Sequence, residues 1–125
     1  MVRDTARRVT DHVLDQVGDE LRTTAVLTPD DWEVVYLRDD LSEQYAPDEY
    51  EQALTAFRAT TEVDQPAVET LPIGERRAVV HYHEHAFVLQ FPYQPGKTVI
   101  VSVEPAVGSS LGSFIDECRE LVDDA

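Results

Sequence analysis

The chain has 125 residues, 25 of them acidic and 10 basic, for a formal net charge of −15. So little positive charge leaves no basic stripe for a phosphate backbone, which argues against direct nucleic-acid binding, and no apolar run is long enough to span a bilayer. The single cysteine excludes an internal disulfide.

A chain of this length fits one domain, residues 1–125, and buries roughly two-thirds of its unfolded surface. The N-terminus, MVRDTARRVTD, has no apolar signal core, so the expected location is cytoplasmic. Of the basic residues only Lys97 is a lysine, and the other nine are arginines. Such a charge repels itself in dilute buffer, but at molar salt the Debye length falls to about 3 Å and the repulsion is largely screened. Carboxylates hold water, and few lysines mean few exposed apolar stems. The combination reads as adaptation to a salt-rich cytoplasm; the plain alternative is an ordinary acidic protein.

Val2, Ala6, Val9, Val13, Val17 and Leu21 recur at spacings of three and four, which predicts an amphipathic first helix. Asp4 or Thr5 would cap it, and Gly18 falls at its last turn. RTTAVL and WEVVYL, separated by Thr28-Pro29-Asp30-Asp31, predict a hairpin. On its second strand Trp32, Val34 and Tyr36 would share one face, with Glu33, Val35 and Leu37 on the other. Asp39 to Tyr45 gives a short helical turn. Pro47, followed by Asp48 and Glu49, suits the start of a longer helix with Tyr50, Ala53, Leu54 and Phe57 on its apolar face. Thr60 to Pro72 has no period and reads as a long loop.

The stretch from Arg76 to Val103 predicts a three-stranded meander. With Glu84-His85 as the turn, His83 pairs with Ala86, Tyr82 with Phe87, Val80 with Leu89 and Ala78 with Phe91. Alternation then puts Val80, Tyr82, Phe87, Leu89 and Phe91 on one face, and Val79, His81, His83, Val88 and Gln90 on the other. Apolar residues on both faces imply a sheet covered on both sides. Pro92, Pro95 and Gly96 mark the second turn. Leu111, Phe114, Ile115, Cys118, Leu121 and Val122 make a final amphipathic helix, capped by Ser109 or Ser110, expected to close over the sheet.

The fold class is therefore α+β, in the order α-β-β-α-β-β-β-α, with a five-stranded antiparallel sheet between helices. This order resembles the roadblock domain. The tail VIVSVEPAVGSSLGSFIDECRELV is similar to that family's last strand and helix, including a Leu-Gly pair near the helix start, here Leu111-Gly112. Longin-like and profilin-like domains share the layering. WEVVYLRDDLSEQY also resembles small uncharacterised acidic proteins of salt-loving archaea. The roadblock resemblance implies a non-catalytic, dimeric interaction platform, one that serves small GTPases or other regulatory assemblies. It places the third strand, Glu75 to His83, at an edge where two copies pair, with Arg77, Val79, His81 and His83 at the interface.

Three constellations bear on chemistry. His81, His83 and His85 share a face if the strand is continuous, and two of them could reach one zinc ion; a turn at Glu84-His85 would leave only His81 and His83 aligned. A metal- or small-ligand-binding protein using these histidines is the alternative function, and surface or interface histidines are the plain reading. Gly108-Ser109-Ser110-Leu111-Gly112 matches G-x-S-x-G, but four residues separate it from the strand, so the sharp turn of a nucleophile elbow is absent. Cys118 reads as a buried small hydrophobe on the apolar face of the last helix. The expectation is a protein without enzymatic activity.

Overall fold

The computed structural model describes residues 2–61, 71–94 and 96–123. Helix α1 (Val2–Val17) and a 3-10 turn (Gly18–Glu20) lead into strands β1 (Leu21–Leu27) and β2 (Trp32–Leu37). A short helix α2 (Asp39–Gln44) precedes α3 (Pro47–Thr61). Strands β3 (Val79–Tyr82), β4 (Phe87–Gln94) and β5 (Lys97–Val103) follow. A 3-10 turn (Pro105–Gly108) then runs directly into α4 (Ser109–Asp123). Residues 62–70 of the expected Thr60–Pro72 loop lie outside the described residues, and Thr60 and Thr61 still belong to α3.

The strands form one antiparallel sheet in the order β2-β1-β5-β4-β3. The meander has the expected register: Val80 opposes Leu89, Tyr82 opposes Phe87, and the His83 amide donates to the Ala86 carbonyl at 2.8 Å. The third strand is shorter than expected, because residues 75–78 are not extended into the ladder.

Two apolar layers sandwich the sheet. On one face Ala6, Val9, Val13 and Leu14 of α1 pack on Leu21, Val26, Phe87, Val99 and Val101. On the other, Leu54 and Phe57 of α3 pack on Ala25, Val88 and Ile100. A buried polar contact fixes α1 on the sheet. The Thr10 hydroxyl donates to the Ala6 carbonyl at 2.7 Å, which uses its only proton, so the Thr24 hydroxyl donates to Thr10, also at 2.7 Å.

Several local expectations are corrected. α1 begins at Val2, so Asp4 lies in its first turn, where its charge suits the helix dipole, and neither Asp4 nor Thr5 caps it. Gly18, at φ +57, ends that helix in the left-handed region. In β2 the register shifts between Thr24 and Ala25, so that Tyr36 opposes Thr24 and Val34 opposes Ala25. Val35 is the extra residue of a bulge, which flips the alternation. Tyr36 therefore packs with Val35 on the α1 face, whereas Trp32 lies on the α3 face. Ser109 and Ser110 do not cap α4, because the Pro105–Gly108 turn feeds straight into it.

The largest correction concerns α4. Its contact with the sheet runs through Gly112, where an added Cβ would lie 3.3 Å from the Tyr82 hydroxyl, and through Tyr82, which donates to Asp116 Oδ2 at 3.1 Å. At 3.6 residues per turn, Gly112 and Asp116 face well away from Phe114, Cys118 and Leu121. The apolar stripe consequently points outward: Leu111, Phe114 and Leu121 are 49%, 56% and 73% exposed. Cys118 is exposed as well, not buried.

Candidate functional site

The first candidate surface is the β3 edge. His83 bonds inward to β4, and antiparallel ladders alternate, so Val79 and His81 also bond inward while the amides and carbonyls of Val80 and Tyr82 point outward. Among the described residues no strand pairs with this edge. Its ladder has no register shift, and Val80 is 48% exposed. At the opposite edge β2 carries the bulge, a feature that blunts strand pairing. Of the expected interface residues, Val79 and His81 lie on β3, His83 follows it directly, and Arg77 is exposed outside the strand.

On the α3 face His81 and His83 sit side by side, with ring centroids 6.4 Å apart, and the Phe57 ring lies 5.0 Å from His81. His81 Nε2 is 2.6 Å from Oε1 of the fully buried Gln90. Gln90 Nε2 donates to the Phe57 carbonyl at 2.8 Å, which fixes the amide orientation. Its Oε1 can only accept, so His81 Nε2 carries a proton and is committed to Gln90. His85 sits in the turn, its side chain 81% exposed and 3.9 Å from Glu84. The three imidazoles therefore do not converge. Among the described residues no group of three or more His, Cys, Asp or Glu is placed to hold a metal ion. Gln90 was missed at the sequence level, although a lone amide in the run FVLQF is itself a sign of a buried hydrogen-bond partner.

Ser110 is exposed in the first turn of α4. The glycines around it serve packing: a Cβ on Gly108 would meet Phe87 Cε2 at 2.7 Å.

Below the histidines, a cleft of about 420 Å³ opens between α2, α3 and the sheet. Leu41, Leu54, Phe57, Val88 and Ile100 line its apolar part, and His83, Glu84 and His85 stand at one end. Tyr45 and Tyr50 line it too, with ring centroids 5.1 Å apart. Arg22 borders both this cleft and the polar groove beside it.

An ionic network anchors that end of the cleft. Arg38 binds Asp40 through Nε at 2.6 Å and Nη2 at 3.0 Å, Glu104 Oε1 at 2.8 Å, and the Asp19 carbonyl at 2.8 Å. Arg22 Nη1 reaches the same Glu104 oxygen at 3.2 Å. Burial alone would push the Glu104 carboxyl up, but hydrogen bonds from Arg38 and Arg22 outweigh it and hold the carboxyl below its usual range. The hydrogen bond from Arg38 likewise holds Asp40 down. Arg22 and Glu104 become neighbours only through the pairing of Leu21 with Val103, so sequence reading had no means of joining them.

Residues 7–123 match the model of a protein family described as a domain of unknown function, DUF7522. No curated protein and no solved structure matches the chain.

Proposed function

Because the chain belongs to the DUF7522 family, whose description names no activity, we propose a function from geometry: a non-catalytic interaction module that works as a homodimer paired through β3. The observation that carries this reading is the regular β3 edge, which no strand among the described residues pairs with, and its half-exposed Val80. An unpaired edge needs cover, charge or a partner, and Val79–Tyr82 carries neither lysine nor proline.

Four paired residues bury too little for a stable dimer, which needs about 1,200–2,000 Å² in total. Apolar surface on the same side of the sheet supports a larger interface. Val80 and Phe91 are exposed on the face that α4 covers, and α4 itself, bonded to β3 through Tyr82 and Asp116, presents Leu111, Phe114 and Leu121. The dimer would act in a salt-rich cytoplasm, where its charge is screened. Its further partner, by the roadblock resemblance, is a small GTPase or another regulatory protein.

Val80→Pro tests the reading. The Val80 amide points away from β4, so proline removes no internal ladder bond and the subunit should fold. Light scattering in molar potassium chloride should give a dimer for the parent chain and a monomer for the variant. A folded variant that remains dimeric would sink the proposal.

A further inference from the structure

We propose that the cleft between α2, α3 and the sheet binds a small carboxylate with an apolar body. Its volume, about 420 Å³, falls within the usual range for small-molecule sites, and such sites are mostly apolar with a few placed polar groups. Leu54, Phe57, Val88 and Ile100 supply the apolar part, and Arg22 supplies the polar group.

The state of Arg22 points to an anion. Its side chain is only 11% exposed. A guanidinium has five donors, yet Arg22 makes one hydrogen bond among the described residues, at 3.2 Å, to an oxygen that Arg38 holds more closely at 2.8 Å. Arg38 by contrast is satisfied on all sides by Asp40, Glu104 and the Asp19 carbonyl. A nearly buried cation with unspent donors on the wall of an apolar cleft matches a carboxylate, which accepts two parallel N–H bonds from one guanidinium.

Glu49 and Glu84 also border the cleft and are exposed. They would favour an amine, so the amine is the discriminating competitor. Molar salt screens those exposed carboxylates more than it screens Arg22.

The test uses three probes with one body: 4-phenylbutanoate, 4-phenylbutan-1-ol and 4-phenylbutylamine, titrated calorimetrically into the full chain in molar potassium chloride. The carboxylate should bind about tenfold more tightly than the alcohol, the scale of one charge-assisted contact. Arg22→Gln should remove that preference and leave the alcohol unchanged. Ala53→Trp, at an exposed helix position bordering the cleft, should abolish binding of all three; this variant keeps the location testable if Arg22→Gln fails to fold. No binding by any probe, tightest binding by the amine, a carboxylate preference that survives Arg22→Gln, or undiminished binding to a folded Ala53→Trp chain would each overturn the proposal. None of these outcomes depends on the oligomeric state.

Discussion

Two glycines four residues apart should respond unequally to the same methyl group. Alanine at Gly108 would put a Cβ 2.7 Å from Phe87 Cε2 and 3.1 Å from Cδ2 and Cζ. That ring is 3% exposed and stacked on Tyr82 at 4.5 Å, so it has nowhere to withdraw. Overpacking of this kind costs about 1–3 kcal/mol. The offset is the smaller unfolded-state entropy of alanine, about 0.4–1 kcal/mol. The clash wins, for a net loss of about 1–2 kcal/mol, or a fall in Tm of roughly 3–10 °C for a chain of this size. At Gly112 the nearest atoms would lie at 3.3, 3.5 and 3.6 Å, close to ordinary contact. There the gain in helix propensity, about 1 kcal/mol, offsets the crowding, and the change should stay within about 0.5 kcal/mol of neutral. Urea unfolding followed by circular dichroism in molar potassium chloride measures both. Adding Phe87→Leu should recover part of the Gly108→Ala loss, with a coupling of at least about 0.5 kcal/mol. If Gly108→Ala is as stable as the parent chain, or Gly112→Ala is the costlier change, then α4 does not dock through these glycines.

Thr98 is fully buried and its Oγ1 has no hydrogen-bond partner among the described residues; Thr98→Val should therefore stabilise the fold by about 1 kcal/mol, and a loss in the same urea assay would show that the hydroxyl is satisfied. Glu104 is held below its ordinary value of 4.5 by the two arginines, so its ion pairs stabilise the fold fully above that pH and fade as pH falls through the depressed value. The stability gap between the parent chain and Glu104→Gln should be widest near neutrality and close below about pH 4.5, whereas a gap independent of pH would place the Glu104 contribution in packing. With a net charge of −15, the helix signal should fall in dilute buffer and recover in molar potassium chloride; circular dichroism indifferent to salt would remove the halophilic reading.

The meander was legible because its turn and its alternation agree: with the turn at Glu84-His85, Tyr82 falls on the face of Phe87 and Leu89, and a one-residue slip would have put it on the face of Val88 and Gln90. The face assignments held there and failed in β2, since a bulge leaves the residue types unchanged while reversing which side they point to. α4 was legible as an amphipathic helix, but amphipathicity does not say which side meets the sheet. Two glycines allowed the closer approach and took that role from the Leu-Phe stripe. Cleft and ionic network were not legible at all. Arg22, Arg38 and Glu104 are scattered singly along the sequence, and only the strand order and the end of β5 bring them together.

That strand order also bears on how the chain reaches its native state. β5 is the middle strand, yet it is the last one in the chain, and its pairing with β1 is what joins the β1–β2 hairpin to the β3–β4–β5 meander. A ribosome therefore delivers α1, the first hairpin and α3 well before Lys97–Val103 exists to unite them. The edge of β1 that pairs with β5 has to wait without its partner through that interval. Closing this long-range strand pairing should be the slow step, because the loop entropy must be met before the core rewards it. Trimming Val99 or Val101 should accordingly slow refolding, while trimming Leu111 on the exposed side of α4 should leave the refolding rate untouched.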